Sequence, residues 1–287
     1  MKFAFIEEHL ASLFPLDVIC RVLEVSRSGY YAWRERPESN RAKRREELAL
    51  RIQRIHEEYR RVYGSPRIFN ELKAQGQSVC QNTVADIMKE RNIRAKTKRK
   101  FVPRTTDANH DQPMADNLLD RQFQAELPNR KWAADITYIP TGEGWLYLAG
   151  VIDLCSRKIV GWSMADHMET SLVSDALKMA LAHRRPEQGL LHHSDRGVQY
   201  VSDDYRRLLQ AGGMEISMSG KGDCWDNAVI ESFWSTLKRE LVHQERFATQ
   251  DQARAAIFEY IEVFYNRKRL HSSLGYVSPE AFEAGLN

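Results

Sequence analysis

Residues 131–140, KWAADITYIP, alternate so regularly that they predict a strand: Trp132, Ala134, Ile136 and Tyr138 take one face, Asp135 and Thr137 the other. Two further runs, WLYLAGVIDL and KIVGWSM, follow at hairpin spacing and predict three antiparallel strands. Beyond them the pattern switches. A helix is expected over about 169–183, a strand ending in LLHHSD, a helix over about 203–211, a strand in MEISMS, and an amphipathic helix in GDCWDNAVIESFWSTLKRE, residues 222–240. Antiparallel strands followed by alternating helix and strand give a mixed α/β sheet with flanking helices. A last amphipathic segment, DQARAAIFEYIEVFYNRK, precedes a proline-containing tail.

The first third of the chain is different. LDVICRVLEVSRSGYYAW predicts two short helices around a polar turn at Ser26–Ser28. A long helix over 45–60 comes next, then a second pair in which Pro66 opens one helix, Gly76 breaks it and Asn82 caps the next. Residues 81–91 form the helix that such a pair offers to a DNA groove. Residues 1–104 hold 23 Lys/Arg against 13 Asp/Glu, whereas the rest of the chain is net acidic. The densest basic run is RAKTKRKFVPR, residues 94–104. Tandem helix-turn-helix patterns in a basic segment point to DNA, with Asn82, Arg94, Lys96, Lys98, Arg99 and Lys100 as candidate contacts. After them the periodicity fades into a linker, with a turn of helix expected near 118–123.

Neither a signal peptide nor a membrane span is indicated, and Cys20, Cys80, Cys155 and Cys224 form no C-x-x-C pair. A cytoplasmic protein with reduced thiols is expected.

Two acids stand where an acid is costly. Asp135 interrupts a central strand, and Asp195 closes the strand LLHHSD. Buried carboxylates are unfavourable unless paired or bound to metal. Glu231 lies on the helix that follows, with 35 residues between it and Asp195 and 59 between Asp195 and Asp135. This D, D, 35, E spacing, set in WAADITYI, HHSDRGVQY and WDNAVIESFWSTLK with Lys238 seven residues past the glutamate, resembles the catalytic core of the retroviral-integrase superfamily. More closely, the chain resembles the second-frame transposase of the bacterial insertion sequence three family; VIDLCSRKIVGW and YNRKRLHSSLGYVSPEAF extend the likeness through the tail.

The resemblance implies an RNase H-like five-stranded sheet preceded by an all-α helix-turn-helix region, divided as 1–42, 43–100, 101–128 (linker), 129–245 (core) and 246–287 (helix and tail). It implies that Asp135, Asp195 and Glu231 hold two Mg²⁺ or Mn²⁺ ions, with no protein nucleophile. The reaction implied is cleavage at the 3′ ends of a mobile element and transfer of those ends to target DNA. The implied partners are terminal inverted repeats, target duplex, at least one more copy of the chain, and the upstream-frame product, at the bacterial nucleoid. A nuclease of the same fold that cuts without joining, and a DNA-binding regulator with an inert core, are the alternatives.

Other residues have two readings each. Lys238 falls on the face of Glu231 and either holds a phosphate or is simply solvated. His192 and His193 pack or touch DNA. Asp153 is expected to pair with Arg157. Asn227 and Trp225 shape the site, and Asn266, Arg267, Arg269 and His271 either contact DNA or fasten the tail.

Overall fold

The computed structural model describes residues 2–96, 115–220 and 224–286, the side chains of Cys224 and Trp225 excepted. The basic residues Lys98, Arg99 and Lys100 lie outside the described residues. The chain divides into two compact units, Met1–Arg54 and Ile55–Asn287.

In the first unit, α1 (Lys2–Phe5) runs on as a π-helical turn, Ile6–Leu10. Helices α2 (Leu16–Val22) and α3 (Arg27–Arg34) follow. Ser26 caps α3, its side chain accepting from the Gly29 amide at 3.0 Å. The turn therefore ends where the expected one begins. Ile6, Ile19 and Tyr30 form the core of this unit, with Phe3, Leu16 and Trp33 packed round them.

Helix α4 (Asn40–Glu58) runs across the division between the units, and starts five residues before its expected beginning. In the second unit, α5 (Ser65–Ala74) opens on Pro66 as expected, and Gly76 (φ +76°) ends it in the left-handed region that glycine adopts freely. Helix α6 (Gln81–Glu90) starts earlier than expected: Cys80, not Asn82, occupies the capping position, with its Sγ 3.1 Å from Thr83 Oγ1. Asn82 is instead an exposed residue of the first turn.

The sheet has the order β3-β2-β1-β4-β5. Strands β1 (Lys131–Thr141), β2 (Gly144–Asp153) and β3 (Ile159–Ala165) are antiparallel, and β4 (Leu191–Ser194) and β5 (Glu215–Met218) add in parallel to β1. Helices α7 (Thr170–Arg184) and α9 (Asp203–Ala211), with the short α8 (Val198–Val201) between, bury Trp132, Ala134, Val151 and Leu177 on one face. Helices α10 (Ala228–Leu237) and α11 (Gln250–Phe258) pack on the other. Both relax into π turns, Lys238–Val242 and Glu259–Tyr265, which no sequence pattern announced. Helix α12 (Pro279–Ala284) closes the chain.

The described end of the expected linker is fastened down. Asp116 O accepts from Met218 N (3.2 Å), so this segment adds to the edge of β5, and Leu119 is buried. Asn117 and Arg121 both donate to Asp226, just ahead of α10.

The core also holds fully buried histidines. Burial pushes His192 down to about 3 and His193 to about 4. Each remains neutral in the folded chain at a pH where the unfolded chain takes up a proton near 6.5. Stability from these two groups is thus complete above about pH 6.5 and is lost as pH falls toward their folded values. We expect the urea midpoint to drop between pH 7 and pH 4.5 by the equivalent of a few kcal/mol; a midpoint unchanged over that range would contradict this burial.

Candidate active site

Alternation along β1 turns Asp135 away from the Trp132 face and toward α10. Its partner across the ladder is Gly150. A Cβ there would stand 2.7 Å from the Trp234 ring, so the missing side chain is what admits the indole. From that position Trp234 Nε1 donates to Asp135 Oδ2 at 3.0 Å. Trp234 reads in sequence as one more core residue, but a buried indole N–H needs an acceptor, and here that acceptor is the carboxylate.

Parallel pairing of β1 with β4 ends at Ala134↔Ser194. Asp135 and Asp195 are the next residues on each strand, at the point where pairing stops. Asp195 Oδ1 accepts from Gly197 N at 2.9 Å. The strand end is held from behind. Ser217 Oγ accepts from the amides of Leu118 and Leu119 (2.9 and 3.1 Å), which leaves its own O–H for His193 Nδ1 (2.9 Å). The ring proton of His193 then sits on Nε2, facing Ser219 Oγ (3.1 Å), and Ser219 N donates to Ser194 O. His192 bonds the Tyr205 hydroxyl (3.0 Å). Both histidines are thus packing residues, not DNA contacts.

Glu231 comes from the first turn of α10, a helix moored by Ile230, Phe233, Trp234 and Leu237, and it stands exposed at the mouth of the site. The three acids act on one another. Burial, then the charge of Asp195 and that of Glu231, lift Asp135 well above the ordinary carboxylate range. Burial raises Asp195, and burial with the Asp195 charge raises Glu231. Among the described residues no lysine, arginine or histidine pairs with any of the three at ion-pair distance.

Lys238 sits on the same rim. Its Nζ lies 4.7 Å from the Tyr138 ring centroid; burial lowers its pKa while the Asp135 charge pulls the other way. A freely solvated lysine would show neither effect. Asn227 lies just before α10, its Nδ2 donating to Ala134 O (3.1 Å), with Oδ1 enclosed and unpaired.

Asp153 is structural, but not through Arg157. It accepts from Asn129 N, Trp132 Nε1, Cys155 N and Ser156 N, and Arg157 points to Phe123 O instead (3.5 Å). In the tail, Asn266 bonds both backbone groups of Ile159, and Arg269 grips Glu240 with Nε and Nη2 (2.8 and 2.7 Å). These residues fasten the tail. Arg267 is at the surface near Glu280 (3.5 Å), Arg94 is exposed, and Lys96 is partly buried with its amide bonded to Arg61 O.

Three carboxylates are available for an ion, but no three described His, Cys, Asp or Glu side chains converge closely enough to surround a single one. Magnesium does not require that: it takes one or two carboxylates and completes its octahedron with water and phosphate oxygens. An all-oxygen donor set, charge with no ion-paired cation among the described residues, and an enclosed unpaired amide oxygen at Asn227 Oδ1 fit a hydrated divalent ion.

Sequence comparison agrees with this architecture. Two integrase core domain models match residues 125–224 and 212–279, and an HTH-like domain model matches 43–101. A solved structure of the HTLV-2 integrase catalytic core domain in complex with magnesium is 15% identical, covering 55% of this chain and 98% of that one, with a TM-score of 0.42. The insertion element IS600 uncharacterized 31 kDa protein of Shigella sonnei is 48% identical over 92% of this chain and 97% of its own length. Transposase InsF for insertion sequence IS3A of Escherichia coli is 46% identical over 99% of this chain and 98% of its own, and with that likeness running end to end, the chain belongs to the IS3 family of insertion-sequence transposases, the DDE-type polynucleotidyl transferases.

Proposed function

We propose that this transposase cuts DNA at the 3′ ends of its insertion sequence and joins those ends to target DNA, using two divalent cations, Mg²⁺ or Mn²⁺, held by Asp135, Asp195 and Glu231. The observation that carries the reading is geometric: Asp135 and Asp195 follow the last paired residues of neighbouring parallel strands, Glu231 stands on the helix packed against β1, and among the described residues no lysine, arginine or histidine is ion-paired with any of the three. When bound, the ions activate the attacking water or 3′-hydroxyl and stabilise the leaving 3′-oxygen. The chain's own residues do the rest. Trp234 orients Asp135, the His193 network orients the end of β4, and Lys238 offers a cation to a phosphate beside them.

DNA is engaged by the helical region, through Asn82, Arg94, Lys96, Lys98, Arg99 and Lys100, with Arg267 from the tail. The working divisions are 1–42, 43–100, 101–128, 129–245 and 246–287. Two element ends must be joined, so at least two copies act together on DNA, and the upstream-frame product is a further partner in end recognition. The place of action is the bacterial cytoplasm, at the nucleoid.

The test is an assay with duplexes carrying the element's terminal repeats, a target duplex and Mg²⁺, with products sized on denaturing gels. Joined strands are expected. Cut strands without joined ones would make the protein a nuclease, and neither product would leave it a DNA-binding regulator. In the same mixtures, neutralising Arg94, Lys96, Lys98, Arg99 and Lys100 should flatten the log–log salt dependence of binding by about one for each phosphate that the variant no longer neutralises. An unchanged slope removes those residues from the interface.

A further inference from the structure

Trp145 is 48% exposed on β2, and it is used differently from the other indoles around the sheet. Trp132, Trp162 and Trp234 each donate the ring N–H to a carboxylate, of Asp153, Glu262 and Asp135 respectively. The Trp145 N–H has no such partner among the described residues. Its ring meets Tyr138 instead, centroids 4.8 Å apart and planes at 88°. Neither core packing nor a hydrogen bond accounts for a half-bare tryptophan at this place.

Tyr138 in turn carries Lys238 over its ring, with Nζ 4.7 Å from the centroid. The lysine comes from the other face of the sheet, immediately after α10 and seven residues past Glu231. It reaches the tyrosine across an uncovered edge of β1. Pairing with β4 stops at Ala134↔Ser194, and the next described bridge on that side is Thr141↔Phe247. Residues 135–140 thus form a window about 20 Å long, with Asp135 at one end and Tyr138 about 10 Å further along. The hairpin that carries Trp145 is held firmly: Gly142 N donates to Phe247 O (2.9 Å) and Gln250 N to Glu143 Oε2 (2.7 Å).

Aromatic rings with a cation at their edge are a common means of holding single-stranded nucleic acid, the cation taking a phosphate and the rings a base. We propose that Trp145 and Tyr138, with Lys238 beside them, hold one unpaired base of the DNA strand being cut, so that this strand parts from its complement next to the carboxylates. This rests on the reading that the carboxylates cut DNA. Bases in a duplex are covered by their neighbours, and a flat ring can take one only after it has left the stack. Stacking on the indole then offsets the lost pairing. At about 3.4 Å per nucleotide, the roughly 10 Å from Asp135 to Tyr138 puts that base within about three positions of the scissile phosphate. Every base has a π face, so the site does not select a sequence.

The experiment uses the full-length parent, Trp145→Ala and Trp145→Phe with two duplexes carrying the terminal repeats, one fully paired and one mismatched at the positions beside the cut. In chelator, where nothing is cut, the parent should bind the mismatched duplex more tightly than the paired one. Trp145→Ala should bind the mismatched duplex about 5- to 150-fold more weakly than the parent does, and Trp145→Phe should keep most of the affinity. With Mg²⁺ and saturating protein, the single-turnover rate of Trp145→Ala should fall on the paired duplex yet match the parent's on the mismatched one, where unpairing is already done. Trp145→Leu, which keeps apolar bulk against Tyr138, should behave as the alanine variant does and serves if alanine unsettles the hairpin. Equal rate losses on the two duplexes, or none on either, would overturn the proposal. So would a parent that shows no preference for the mismatched duplex in chelator. If the parent cuts neither duplex, the cutting reading falls, and the comparison in chelator still decides whether these rings hold a base.

Discussion

Replacing Asp135 with asparagine should lower strand cleavage and joining by about a thousandfold or more, with DNA affinity nearly unchanged. The same is expected for Asp195→Asn and Glu231→Gln, because under the proposed function the three serve as one set of ligands and losing any member disables the set. The side chains differ in what else they touch. Asp135 accepts from Trp234 and Asp195 from Gly197, and an amide oxygen can keep both bonds. Removing a charge that its neighbours oppose should therefore leave the metal-free protein as stable as the parent or slightly more so. Unfolding in chelator and gel analysis of cleavage products measure the two effects separately. Joining within about tenfold of the parent would remove that residue from the catalytic set.

Arg269→Met should destabilise the second unit by about 3–5 kcal/mol. Arg269 and Glu240 are each 2% exposed, joined by two bonds, and Tyr260 adds a third to Glu240 at 2.8 Å. Taking away the guanidinium leaves the buried carboxylate without a close buried cation, since Arg239, at 3.2 Å, is partly exposed and Arg67 acts on it through charge alone. That leftover charge is the main source of the cost, so the double variant Arg269→Met, Glu240→Gln should recover much of the loss. Urea unfolding of the parent, both single variants and the double variant closes the cycle. A single variant as stable as the parent would mean that the pair is solvated and not the anchor described here.

What could be read beforehand follows a physical pattern. Asp135 and Asp195 drew attention because an acid at a strand position conflicts with local burial, whereas Glu231, exposed on a helix, was singled out only by its spacing and the family resemblance. The alternation of β1 and the Pro66 and Gly76 signals were legible because each is written within a few residues. The cap of α6 misled because asparagine is the better capping residue by type, whereas the chain enters the helix two residues earlier at Cys80. Asp153 was assigned the nearest cation in sequence, yet backbone amides of its own turn and the Trp132 indole satisfy it. The Arg269–Glu240 pair and the fastening of residues 116–121 depend on contacts between distant segments, which leave no period in the sequence.

One such set of contacts bears on how the chain is made. Tyr63 and Arg67, at the start of the second unit, are bonded to backbone atoms of Lys268 and Leu270, across separations of 203 to 207 residues. At roughly 5–20 residues per second, a ribosome needs about 10–40 s between producing one side of this contact and the other. The helices around Tyr63 thus leave the exit tunnel long before the backbone that receives them exists. Their docking waits for the last stretch of translation, so a message cut short upstream of residue 268 yields the helical segment without its seat on the core.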